Sequence, residues 1–112
     1  MRILEQGPRN ATILVTAAET ITVAAFADTG FEKADPRYFS IVAVDYDVGT
    51  GPVSVAFDAT AADQVLTLTG RDHKCFREFG GIVDSMGAGW TGSLVVAGTG
   101  PFTLLLTLKK HY

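Results

Sequence analysis

Phe102-Thr103-Leu104-Leu105-Leu106-Thr107-Leu108-Lys109 is the stretch that decides how this chain folds. Side chains alternate across a β-strand, so Phe102, Leu104, Leu106 and Leu108 share one face while Thr103, Leu105 and Thr107 share the other. The first face is wholly apolar, which predicts a strand running through the centre of the core. Gly98-Thr99-Gly100-Pro101 precedes it as a turn signal, and residues 93–97 form the strand candidate before that.

Toward the N-terminus the same pattern recurs. Residues 84–92 place Gly87, Gly89 and Gly92 around Trp90, a loop that demands close backbone approach or positive φ. Residues 74–83 read as a bulged strand because Gly80-Gly81 interrupts Phe76, Phe79, Ile82 and Val83. Residues 64–69 alternate strictly and end at Gly70, and residues 59–63 are the one place suited to a helical turn. Residues 38–48 are the longest strand candidate, with Val42, Val44, Tyr46 and Val48 on one face and Ile41, Ala43, Asp45 and Asp47 on the other. Gly49-Thr50-Gly51-Pro52 then predicts a hairpin turn into residues 53–58.

Upstream, Asp35-Pro36 closes a polar loop over residues 31–37. Residues 11–18 and 21–26 read as two strands joined at Glu19-Thr20, with Asp28-Thr29-Gly30 as a stop. Residues 1–10, which contain Gly7-Pro8, read as an N-terminal arm before a single domain at residues 11–112. About eight short strands without intervening helices predict an all-β fold, an antiparallel β-sandwich of jelly-roll type. Such a sheet leaves edges to be covered or paired, and oligomerisation is one way to cover them.

Composition supports one folded core. A chain of 112 residues with 47% hydrophobic and 19% charged residues is the size of one domain and far from the composition of disordered chains. Net charge is −3 and the basic residues form no stripe, which argues against nucleic-acid backbone binding. Lys109-Lys110-His111 reads as a solubilising tail. Cys75 stands alone, so no intrachain disulfide forms and a reducing cytoplasm suits the chain. No apolar run suits a signal peptide or approaches the ~20 residues of a membrane span, so no membrane partner is expected.

Few constellations suggest chemistry. Asp45 and Asp47 project to one face, and the predicted hairpin brings Asp58 alongside them as a conceivable calcium trio. The loop carbonyls and amide ligands that complete such sites are missing, which favours a solvent-facing or interface role. Asp72, His73 and Cys75 evoke a cysteine–histidine nucleophile, yet nothing nearby in sequence orients the imidazole. His73, Cys75 and the distant His111 make too thin a set for zinc. The glycines between Gly80 and Gly92 have no phosphate-loop spacing. Trp90 reads as a core plug beneath its loop, as an anchor at a protein interface, or as a sugar-stacking platform. No segment pairs a nucleophile with a base and an orienting group, so no enzyme, cofactor or bound metal is expected.

Several elements together carry a resemblance. Gly7-Pro8-Arg9-Asn10 leads into a strand, Gly80-Gly81 lies past the middle, Trp90-Thr91-Gly92 precedes two closing strands, and the chain ends through Phe102 to Lys110. In these features it resembles small structural proteins of tailed-phage virions, of the capsid decoration or cement kind. The resemblance implies a non-enzymatic virion protein with a jelly-roll domain, made in the host cytoplasm, that trimerises on the shell. Its partners would be copies of itself and the major capsid protein or another virion protein. Arg9, Asn10 and Trp90 are then the candidate interface residues, with the arm of residues 1–10 reaching a neighbouring subunit. A tail or head-to-tail connector component is the second virion expectation, and a carbohydrate- or calcium-binding module using Asp45, Asp47, Asp58 and Trp90 is the expectation from another class.

Overall fold

A computed structural model describes residues 1–26 and 35–112 of the chain. The strands are β1 (Arg2–Gln6), β2 (Asn10–Val15), β3 (Glu19–Ile21), β4 (Tyr38–Phe57), β5 (Asp63–Cys75), β6 (Ile82–Val83), β7 (Leu94–Ala97) and β8 (Phe102–His111). All pairings are antiparallel, and one eight-stranded sheet results in the order β1-β2-β8-β4-β7-β3, with β5 and β6 also on β4. The sheet curls into a half-barrel, so the predicted all-β, sandwich-like class holds. The expected stop at Asp28-Thr29-Gly30 and most of the loop at residues 31–37 lie outside the described residues.

The half-barrel arises from a crease. β4 pairs with β8 through its first half, as far as Val48 opposite Phe102, and with β7 through its second, beginning at Ser54 opposite Ala97. β7 and β8 therefore lie end to end along β4. β3 and β2 lie end to end along β7 and β8 in the same way, with Glu19 opposite Val96 and Val15 opposite Leu104. The interruptions at residues 16–18, 98–101 and 49–52 consequently line up across the sheet. On the far side, β5 passes the same line at Gly70, whose φ is +72°.

Two identical tetrapeptides meet at this crease, Gly49-Thr50-Gly51-Pro52 and Gly98-Thr99-Gly100-Pro101. The Gly49 N–H donates to the Pro101 carbonyl at 2.9 Å. A Cβ on Gly100 would sit 2.1 Å from Thr50 Oγ1 and 2.4 Å from the Thr50 carbonyl oxygen, so only glycine lets the corners pass this closely. Proline lacks a ladder donor and interrupts the strand where it bends. The hairpin expected at residues 49–52 is thus corrected: the segment is a corner inside β4, because β5 on one side and β7–β8 on the other pair with both halves across the bend.

One core spans both halves, joining Ile13, Leu104 and Leu106 from one to Phe57, Leu94 and Leu68 from the other. In β8 the predicted phase is observed, with Phe102, Leu104, Leu106 and Leu108 buried and Leu105 half-buried outside. β4 shifts phase at a bulge. Its register slips between Ile41 and Ala43, where the Val42 carbonyl accepts from the Phe76 N–H at 2.7 Å instead of joining the β8 ladder. Phe39 and Ile41 therefore point inward before the slip and Val44, Tyr46 and Val48 after it, which moves Ile41 from its expected outer face into the core.

Other expectations are corrected as well. β5 runs through Gly70 to Cys75, and residues 76–83 hold a 3-10 turn at Arg77–Phe79 and the two-residue β6 instead of one bulged strand. Strand structure ends at Ile21 and a 3-10 turn, Val23–Phe26, follows. No helical turn forms at residues 59–63. The first ten residues, read as an arm, hold β1, which folds back on β2 within the chain. Lys110 is no part of a tail: it continues the inward phase of β8, is 1% exposed, and donates from Nζ to Gln6 Oε1 at 3.2 Å.

Candidate functional site

The larger half of the creased sheet has a second, outer face on which no other strand packs among the described residues. The register assigns its side chains row by row. Val83, Ser40, Lys109 and Asn10 lie across one level. Cys75, Ala43, Thr107 and Thr12 form the next, and His73, Asp45, Leu105 and Leu14 the one after. Arg71, Asp47 and Thr103 adjoin the crease. The middle level is made of small side chains, and a shallow groove of about 400 Å3 opens beside it toward the crease, lined by Asp45, Asp47, Arg71, Thr103 and Leu105 among others.

The end of this face away from the crease is built on aromatic packing. Tyr38 stacks on His111, with ring centroids 4.5 Å apart and planes 8° from parallel, and Trp90 meets Tyr38 edge-on at 6.4 Å. His111 Nε2 lies 2.6 Å from Ser40 Oγ. Burial, and then the nearby Lys109 charge, hold the imidazole pKa below its ordinary value, which favours the neutral ring. Ser40 is fully buried, and the pair links β4 to β8.

Trp90 is therefore a half-buried packing residue at the rim of the face. Its loop is clasped from β4: Asp58 Oδ2 accepts from Thr91 Oγ1 at 2.8 Å, the Asp58 carbonyl from the Thr91 N–H at 3.1 Å, and the Asp58 N–H donates to the Ser93 carbonyl at 2.9 Å. Gly92, at φ +83°, lies so near the start of β4 that a Cβ there would fall 1.8 Å from the Arg37 carbonyl oxygen. Of the other interface candidates, Asn10 lies on the outer face opposite Lys109, and Arg9 is exposed at the turn before β2, its carbonyl accepting from the Lys110 N–H at 2.6 Å.

The acidic trio does not assemble. Asp45 and Asp47 share the outer face, whereas Asp58 stands beyond the crease at the far end of the same strand, engaged with Thr91. Among the described residues, no group of three or more His, Cys, Asp or Glu side chains is placed to hold a metal ion. Asp45 Oδ1 instead lies within hydrogen-bond distance of His73 Nδ1, at 2.5 Å, both side chains about half exposed (55% and 54%). The imidazole thus has an orienting group that sequence spacing did not reveal, since strand pairing supplies it. Cys75 is exposed on the same face, and no hydrogen bond joins its thiol to His73.

An apolar protrusion was not anticipated as a surface feature. Phe79 is 81% exposed and Val83 50% exposed, beside Gly80 and Gly81, both in the left-handed region. The glycine pair was its only sequence signal. No protein-family model, curated protein or solved structure matches the chain.

Proposed function

We propose that this chain is a non-enzymatic structural protein of a virus particle, a capsid decoration or cement subunit that stabilises the shell through contacts with the major capsid protein and with its own copies. The observation that supports it best is the outer face: half-buried Thr107, Thr12, Leu105 and Leu14, around Ala43 at 6% exposure, form a largely uncharged surface on the pairing strands β4, β8 and β2, uncovered by any other strand of the described chain. Exposed Val83, on the Ser40 level, extends apolar surface at its margin. Contiguous uncharged surface of this kind suits a protein interface. The resemblance of the Gly7-Pro8-Arg9-Asn10, Gly80-Gly81 and Trp90-Thr91-Gly92 elements to phage virion proteins supplies the kind of particle.

The test is co-sedimentation with shells assembled from the major capsid protein encoded in the same genome. Saturable binding at a fixed ratio to capsid protein, with a raised shell melting temperature, is expected. Protein that stays wholly in the supernatant across micromolar concentrations sinks the proposal, and binding to tail structures alone moves the protein to the tail or connector.

A further inference from the structure

The geometry points to a second copy of this chain as the occupant of the outer face, in a face-to-face pair related by a two-fold axis along the level of Cys75, Ala43, Thr107 and Thr12. Two sheets pack about 10 Å apart only where the side chains between them are small enough to interdigitate. That level has no side chain larger than threonine or cysteine, and Ala43 and Thr107 occupy its centre.

The charges on either side of the axis are complementary to themselves. Lys109 lies one level to one side, with Ser40 and Asn10 as its uncharged neighbours across the strands. Asp45 lies one level to the other side, next to Leu105. Asp47, further on, faces Arg71 across the β4–β5 ladder, while Asp45 turns Oδ1 to His73 Nδ1 and, about half exposed, offers Oδ2 to Lys109 of a facing copy. A two-fold axis through the middle level brings Lys109 of each copy over Leu105 and beside Asp45 of the other, twice by symmetry. The lysine stem covers the leucine while its ammonium reaches the carboxylate. Within one chain Lys109 and Asp45 are two levels apart, so any coupling between them reports on the pair. Cys75, exposed and on the axis level, lies opposite its own copy.

The pairing rests on the proposed reading of this face as a protein interface and gives the face to the contact between copies; it is read on the isolated chain without shells, so its failure and a failure of shell binding are told apart. Sedimentation equilibrium of the full chain under reducing conditions is expected to return twice the 11.9 kDa chain mass at micromolar concentration. Lys109→Asp and Asp45→Lys are each expected to weaken the pair by about tenfold or more, through like charges set against each other, and the double exchange to recover most of that loss. A short bis-maleimide is expected to join two wild-type chains through Cys75 and to leave Cys75→Ser unjoined. A monomer at about 100-fold higher concentration than the expected micromolar range, a pair indifferent to the single exchanges, a double exchange no tighter than the singles, or no cross-linked product overturns the inference.

Discussion

Gly92→Ala is expected to lower stability by about 4 kcal/mol or more, enough to leave the chain unfolded or melting roughly 15 °C lower. The new Cβ would fall 1.8 Å from the Arg37 carbonyl oxygen, 2.9 Å from its carbon and 3.2 Å from Tyr38 Cα, all backbone atoms that no rotamer change can move. The φ of +83° adds strain of about 1–3 kcal/mol for any residue with a side chain. Relief requires the 90–93 loop to part from the start of β4, which breaks the Trp90–Tyr38 contact and pulls on the neighbouring Thr91–Asp58 clasp. Gly87→Ala is the matched control, because nothing lies within 4 Å of a Cβ there and its φ is not positive. It is expected to stay within about 0.5 kcal/mol of wild type. Urea unfolding of both variants checks the pair of values, and equal midpoints would contradict the loop's placement.

The second large effect concerns consecutive leucines. Leu106→Ala is expected to cost about 3–4 kcal/mol, since the side chain is fully buried between cross-strand neighbours Ile13 and Val44, where the sheet cannot collapse into the space. Leu105→Ala, one residue away on the half-buried outer face, is expected to cost at most about 1 kcal/mol by lost apolar burial. The contrast carries the argument. A reversed order in chemical denaturation would mean that β8 presents its other face to the core, and every outer-face assignment would fall with it.

Which features were legible in the chain follows from whether a local pattern had competition. The alternation of residues 102–108 admitted one reading, and β8 keeps it. The same alternation was available at Lys110, which shares the phase of Leu108, but a charge near the chain's end read as a tail, and tertiary partners decided otherwise. Glycine and proline at residues 49–52 signalled an interruption correctly without saying whether the chain reverses or bends there. That choice depends on an identical tetrapeptide 49 residues later meeting it across the sheet.

The corner decides where the acids lie. A hairpin would have carried Asp58 back beside Asp47, whereas one long strand sends it to the opposite end, where it holds the Trp90 loop. The bulge at Val42 has no glycine to announce it, so unbroken alternation puts Ile41 on the outer face whereas the register slip turns it inward. His73 and Asp45 are 28 residues apart and meet only because of register. Strand phase is local, but register and corners are settled by neighbours distant in sequence, and these are what bring the outer face together.

The central claim is that this protein works by contact through its outer face, and the most direct test compares shell binding of the wild type with Thr107→Arg. Residue 107 is half-buried in the middle of that face, in the phase of β8 opposite to core-facing Leu106 and Leu108, so the variant is expected to melt within a few degrees of wild type. Wild-type protein that pellets with the shells at a fixed ratio while Thr107→Arg remains in the supernatant is the predicted result. Equal pelleting of the two proteins, or of neither, would contradict it.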